Sequence, residues 1–289
     1  MLYQSAMEPV PAPLAAIVQM TSGIDPDANL AVIDRAMAEA AAGGAVMAFL
    51  PEMSLLLDRN RKRSAAHIVR EADSPWPAAL QDMARRHGLW LHTGSMPLLA
   101  DDGERRVNRS HVIAADGSIR ARYDKIHMFD VSLPTGENWT ESAAYAGGGD
   151  LVVVDTPLGH MGLSICFDLR FPELYRALVE RGADILAIPA AFTVPTGEAH
   201  WHVLLRARAI ETGCHVIAAA QAGDHADGRA TYGHSLAIDP WGKPLADIAD
   251  AASDGCHRIA FAPIAADAAR QARQAIPLAR SRTVRNVTL

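Results

Sequence analysis

The feature that most constrains the fold is a unit that occurs twice in the first hundred residues: an apolar run, a helix with its own start and stop signals, and another apolar run. Leu14 to Met20 is the first run; Asp25-Pro26 then supplies an N-cap and a first-turn proline for a helix ending near Gly43-Gly44. Ala45 to Leu50 reads as the next buried strand. Ser74-Pro75 opens a second helix that closes at Gly88, and Leu89 to Gly94 follows as a strand. Strand, helix, strand in this order predicts parallel strands joined by helical crossovers.

The middle of the chain changes style. Arg106 to Ala114 and Ser118 to Tyr123 flank Ala115-Asp116-Gly117, whose Asp-Gly pair suits an antiparallel hairpin. A second hairpin is predicted around Pro157-Leu158-Gly159. Alternation then returns: Pro172 to Gly182 helical, Ala183 to Ile188 strand, Glu198 to Gly213 helical, His215 to Gln221 strand. Ser235 to Pro240 and His257 to Ala262 read as late strands with Trp241-Gly242-Lys243 as the turn between them, followed by a helix from about Ala265 to Gln274. Mixed strands in this number need two sheets with helices on their outer faces, so the expected fold is α/β, an αββα sandwich of two mixed sheets. The expected organisation is an extension over 1–13, one domain over 14–282 and a tail over 283–289. Phe129 to Asp150 and Ala222 to Gly233 lack periodicity and are long for connections, which places them as candidate walls of a site.

Composition narrows the partners. A net charge of -6, with Lys and Arg scattered and no aromatic-interleaved basic stripe, argues against nucleic acid. No apolar run approaches the ~20 residues of a membrane span, and Met1 to Pro13 lacks the pattern of a signal peptide. Cys166, Cys214 and Cys256 lie far apart without CxxC spacing, which indicates neither a disulfide framework nor a zinc ribbon. A cytoplasmic protein without membrane partner is the expectation.

Three strand ends carry candidate chemistry. Cys166 follows Met161-Gly162-Leu163-Ser164-Ile165 and precedes Phe167-Asp168-Leu169-Arg170-Phe171-Pro172, a strand-to-helix elbow. A thiol there would face helix N–H groups that lower a thiolate pKa, with a neighbouring amide able to bind an oxyanion; it can equally be a buried structural cysteine. Glu52, after Phe49-Leu50-Pro51, sits at the carboxyl end of a strand, where open α/β sheets place ligands, or else is a solvated loop acid. Lys125, in Tyr123-Asp124-Lys125-Ile126-His127, ends a strand before the longest irregular segment and alone would be an ordinary surface lysine. Together the three would give a nucleophile a proton acceptor and a cationic partner. His200 and His202 point about 200° apart on a helix and cannot easily share a metal, so no metal is expected. Gly147-Gly148-Gly149 reads as a flexible turn, and Arg206, Arg208 and Glu211 as helix-surface or interface ion pairs.

Phe49-Leu50-Pro51-Glu52, Tyr123-Asp124-Lys125-Ile126-His127 and Ser164-Ile165-Cys166-Phe167-Asp168-Leu169-Arg170-Phe171-Pro172-Glu173-Leu174, in that order, resemble the three catalytic segments of the carbon-nitrogen hydrolase (nitrilase-like) superfamily, over about Leu14 to Arg282. The resemblance implies a cysteine-dependent hydrolase of linear amides with a thioester intermediate and no cofactor. Glu52 would be the base, Lys125 the cation supporting the tetrahedral intermediate and Cys166 the nucleophile. It also implies a second glutamate, matched by Glu141 in preference to Glu137, and substrate contacts from Phe167, Arg170, Phe192 and Thr193. The segments from Pro189 to Gly197, Ala199 to Trp201 and Leu204 to Glu211 look most like the deaminated glutathione amidase branch, which releases 2-oxoglutarate and cysteinylglycine. The related omega-amidases, acting on 2-oxoglutaramate, share the triad. A nitrilase and a catalytically silent dimeric scaffold are also compatible with the motifs. A homodimer or higher homo-oligomer is implied, with the helix around Phe171 to Arg181 and the C-terminal stretch as surfaces. Asp124 departs from the basic residue usual before the lysine, and would alter the charge around it.

Overall fold

A computed structural model of the chain describes residues 11–132, 136, 138–249 and 257–277. Residues 1–10 of the expected extension, the tail over 283–289, Glu137 and Cys256 lie outside the described residues.

The two opening units fold as their punctuation requires. Asp25 caps the helix Pro26–Ala42 by accepting from the Asp27 and Ala28 amides, and Ser74 caps Pro75–His87 by accepting from Trp76. Gly88, at φ 62°, ends the second helix in the left-handed conformation that glycine adopts without steric cost. The strands on either side, Leu14–Met20, Ala45–Phe49 and Trp90–His92, pair in parallel and form the centre of the first sheet. His257–Pro263 adds antiparallel to Leu14–Met20, while Arg106–Ile113 joins Trp90–His92 and also pairs with Met96–Leu99 and Ile119–Asp124.

The second sheet repeats the plan. Gly159–Leu163, Ile185–Ala187 and His215–Ala218 are parallel at its centre, Val153–Thr156 pairs antiparallel on one side, and Ser235–Ile238 then Pro244–Ile248 on the other. Side-chain parity assigns the layers. On Leu14–Met20, Ala15 and Ile17 face the core shared with the second sheet, whereas Ala16, Val18 and Met20 face Ile33, Met37, Ala40 and Leu80 of the two helices. Helices Pro172–Glu180 and Val194–Thr212 cover the second sheet with Leu174, Tyr175, Leu178, Trp201 and Leu205. The architecture is the αββα sandwich.

Several local expectations need correction. Trp241-Gly242-Lys243 does not lead to His257–Pro263; it closes a hairpin onto the strand Pro244–Ile248. That strand is half exposed at a sheet edge, and its proline opening and mixed Leu-Ala-Asp-Ile pattern hid it. Helix Val194–Thr212 begins four residues before Glu198, because Pro195 fills a first-turn position that needs no donor. Met96–Leu99 is an unforeseen strand, and the two irregular segments contain small hairpins, Asp130–Ser132 with Asn138–Thr140 and Ala222–Asp224 with Ala230–Tyr232. Gly148 is no loose hinge: a Cβ there would meet Asp124 O at 2.4 Å, so the glycines let this segment lie directly on the backbone around Lys125.

One buried histidine ties the fold to pH. His92, at the end of the central strand Trp90–His92, accepts from the Gly94 amide through Nδ1 (3.2 Å) and contacts Ser110 Oγ through Nε2 (3.1 Å). Burial, with a smaller contribution from His111, pushes its pKa down to about 3. The unfolded chain then binds a proton that the folded chain refuses between about pH 6.5 and 3, so stability falls as pH drops through that window. We predict that urea denaturation between pH 6.5 and 5 loses up to about 1.4 kcal/mol per pH unit on account of His92, and that His92→Gln flattens this part of the profile.

Candidate active site

Glu52, Lys125 and Cys166 each follow the last residues of a strand-forming run, and the stacking of the two sheets brings these ends together. They are 4%, 2% and 7% exposed. An ammonium at that depth requires partners, and it has two. Lys125 Nζ donates to Glu52 Oε1 at 3.1 Å and to Glu141 Oε1 and Oε2 at 3.0 and 2.8 Å. Burial opposes the charge, but Glu141 first and Glu52 second hold the Lys125 pKa well above its ordinary value. Glu141 is itself aimed by the Phe129 amide, which donates to Oε2 at 2.6 Å.

Glu52 is held at both oxygens. Oε1 also accepts from Asn108 Nδ2 at 2.9 Å, and Oε2 accepts from the Ala191 amide at 2.9 Å. The carboxylate interacts with the Cys166 thiol as well. Here the expectation of a lowered thiol pKa fails: burial, then Glu52, push it well above the usual thiol range, and Lys125 only partly offsets them. The elbow is a short 3-10 helix, Cys166–Arg170, ahead of Pro172–Glu180, so no long helix terminus faces the sulfur. Cys166 has φ 49°, an uncommon conformation for a residue with a Cβ, and donates its own amide to Pro189 O at 2.8 Å. Phe167 N–H lies in the first turn of that helix, where amides have no intrahelical acceptor.

Two residues pin these segments. Asp168 is fully buried and accepts from the Ile165 amide (2.9 Å), Tyr123 Oη (2.6 Å), the His127 amide (2.9 Å) and His127 Nδ1 (2.7 Å). It thereby joins the segment carrying Cys166 to the one carrying Lys125. Arg208 is no surface residue; it is 5% exposed, donates to Leu169 O at 3.0 Å and pairs with Glu211 at 2.7 Å. Arg206 donates to Gly242 O instead. Asp124, next to Lys125, is gripped by Arg109 with two bonds of 2.7 and 2.8 Å.

A cavity of about 260 Å³ opens over the cluster, and all eight residues singled out from the sequence line it: Glu52, Lys125, Glu141, Cys166, Phe167, Arg170, Phe192 and Thr193. Arg170 lies over the rings of Phe167 (5.7 Å) and Phe192 (5.4 Å). Both aperiodic segments contribute walls, through Phe129, Asn138, Trp139 and Tyr145 from one and Arg229 and Thr231 from the other. Asn108, Asp168 and the Ala191 amide were missed as site residues. Asn108 had no local signal beyond lying in a strand, and a backbone amide leaves none. Elsewhere, His202 gathers with His234 and Asp247, while His200 contacts Arg170; none of the three clustered residues lines the cavity.

Comparison with known proteins identifies the family. The carbon-nitrogen hydrolase family model matches residues 14–274. The chain belongs to that family. A deaminated glutathione amidase of Yersinia enterocolitica is 42% identical over 240 residues, 82% of this chain and 83% of that protein. One from Synechocystis sp. (strain PCC 6803 / GT-S) is 41% identical over 268 residues, 91% of this chain and 96% of that protein. The crystal structure of the C. elegans NitFhit protein matches with a TM-score of 0.84 at 35% identity, covering 95% of this chain and 66% of that one. The protein is thus a carbon-nitrogen hydrolase, an enzyme.

Asp168 supplies a test of the site's construction. Asp168→Ala strands four donors in the interior, and should cost roughly 2–5 kcal/mol in urea denaturation while lowering turnover. A loss below about 1 kcal/mol would show that this carboxylate does not tie the two segments together.

Proposed function

We propose that this carbon-nitrogen hydrolase is a deaminated glutathione amidase, using Glu52 as base, Cys166 as nucleophile and Lys125 with Glu141 as the charged frame. The observation that carries the assignment is relatives of that name at 41–42% identity over most of both chains, joined to a cavity floored by a buried thiol beside a carboxylate.

The elevated thiol pKa sets the order of events. A neutral thiol is a poor nucleophile, so attack requires a base, and Glu52 is the carboxylate in place. Proton transfer from Cys166 to Glu52 leaves the net charge of the buried cluster unchanged, which suits a site with little solvent. The sulfur then attacks the amide carbon, and the developing oxyanion is held by the Lys125 ammonium and the Phe167 backbone N–H. The Cys166 amide is engaged by Pro189 O, which favours its neighbour in this role. Collapse breaks the C–N bond; the proton on Glu52 goes to the departing amine, here cysteinylglycine. Glu52 next takes a proton from water, the resulting hydroxide attacks the thioester, and cleavage of the C–S bond yields 2-oxoglutarate and restores the thiol. Metal and organic cofactors have no part in this scheme.

We further propose a cytoplasmic enzyme that forms a homodimer or higher homo-oligomer. Free thiols at Cys166 and Cys214 support a reducing compartment. No helix among the described residues is long and apolar enough to cross a membrane. Exposed Val203 and Ile210 on Val194–Thr212, with Trp241 in the adjoining turn, support a self-association surface next to the helix Pro172–Glu180.

Purified enzyme should hydrolyse deaminated glutathione with higher kcat/KM than 2-oxoglutaramate. Cys166→Ala should abolish turnover, and Glu52→Gln should reduce it by about 10²–10⁴-fold in a protein that still folds, with a lowered melting temperature because Lys125 loses one of its two carboxylates. Turnover retained by Cys166→Ala overturns the mechanism, and a preference for 2-oxoglutaramate overturns the substrate.

A further inference from the structure

Six cationic and three carboxylate side chains line the cavity, a local excess of positive charge in a chain whose net charge is -6. The carboxylates account for some of the cations. Lys125 is bound by Glu52 and Glu141, and Arg229 pairs with Asp227 just outside the lining. Arg170 rests on Phe167 and Phe192, next to the nucleophile. Arg59 and Arg61 are exposed and, like Arg170, pair with no carboxylate among the described residues; Arg106 differs from them in how firmly it is held. Its guanidinium donates to Ser64 Oγ (3.3 Å) and to Arg61 O (3.0 Å) and interacts with the Tyr145 hydroxyl, all neutral groups, and among the described residues no carboxylate pairs with it. It is half-buried, and its backbone is fixed on both sides: its amide donates to Ala144 O at 3.2 Å and its carbonyl accepts from Ala146 at 2.7 Å. A charge held this firmly, facing a cavity and lacking an anion, is built to receive one.

The strand geometry places Arg106 relative to the chemistry. Arg106 and Asn108 are two apart on Arg106–Ile113 and therefore share a face, about 7 Å apart along the strand. Asn108 hydrogen-bonds Glu52, so Arg106 lies one step further along the same face, towards Ser64 and Tyr145 in the cavity wall. A two-residue extended peptide spans at most about 7 Å. The amine half of the substrate proposed above is such a peptide, ending in a carboxylate.

We infer that Arg106, with Arg61 and Ser64 beside it, forms a carboxylate subsite that binds the C-terminal carboxylate of the leaving dipeptide and so selects amides with a two-residue acidic tail. The inference rests on the amidase reading above. It separates two sources of specificity: Glu52, Lys125 and Cys166 act on any amide placed among them, whereas Arg106 measures the length and charge of what lies beyond the scissile bond. An amide lacking the tail, such as 2-oxoglutaramate, gains nothing from it.

The test compares deaminated glutathione with its counterpart whose glycine carboxylate is a carboxamide, on the full chain as wild type, Arg106→Gln and Arg106→Lys. Wild type should prefer the carboxylate by about ten- to a hundredfold in kcat/KM, expressed in KM. Arg106→Gln should bring the preference below about threefold at an unchanged melting temperature, and Arg106→Lys should restore part of it. Equal KM values in wild type, or a preference that survives Arg106→Gln, overturn the subsite and leave the amidase reading intact. A wild type that turns over neither compound but does hydrolyse 2-oxoglutaramate overturns that reading, and this inference with it.

Discussion

A lysine ammonium enclosed by protein is tolerable only if its surroundings supply the negative charge that water would have screened. Lys125 meets that condition through Glu52 and Glu141, residues 73 positions before it and 16 after. The same ammonium in turn holds the two carboxylates towards each other. The three chain segments are therefore mutually dependent, and the dependence extends through Ala191, whose amide reaches Glu52 from the second sheet's side of the molecule. The two layers of the sandwich are joined over apolar surface, but their relative placement at the site is specified by charge. Asp168 performs the same service one layer deeper, with four donors converging on a single carboxylate.

This arrangement also explains why the nucleophile rests as a thiol. With two carboxylates and one ammonium already present, a thiolate would add a second net negative charge to a site with little access to solvent. The cluster resists that charge until a proton acceptor takes the hydrogen without changing the total. Glu52 is suited to the task because its own orientation is imposed by Asn108, Lys125 and Ala191. The strained φ of Cys166 belongs to the same design: the backbone turns sharply at the floor of the cavity while its amide still completes a hydrogen bond to Pro189.

The parts of this structure that were legible in the sequence are those in which a local rule and the tertiary outcome coincide. Asp25-Pro26, Ser74-Pro75 and Gly88 delimit helices because caps act within one turn, and the runs between them become strands because both faces are covered. The three strand-end residues could be named for the same reason. Pro244–Ile248 was hidden because an edge strand with one wet face carries little apolar pattern. The burial of Arg208 and the partner of Asp124 were hidden because pairing is a property of what lies opposite. Nothing in the local sequence shows that Arg208 will reach Leu169 O, or that Arg109 will neutralise Asp124. The thiol pKa was misjudged for a related reason: a helix start is visible in sequence, whereas burial beside Glu52 is not.

Arg106 and Asn108 show on one strand how depth divides the labour of the site. Asn108 points the same way as Arg106, yet one steers a buried carboxylate and the other carries a charge that no carboxylate answers among the described residues. Two residues of rise move the side chain from the sealed end of the cavity to its half-open wall, where a charge can remain partly hydrated until a ligand arrives. At the sealed end, every ionic group must already be satisfied, so it is fixed for one reaction. Towards the mouth an unanswered charge is tolerable, and that is where a fold of this kind can distinguish one amide from another without disturbing the residues that cleave it.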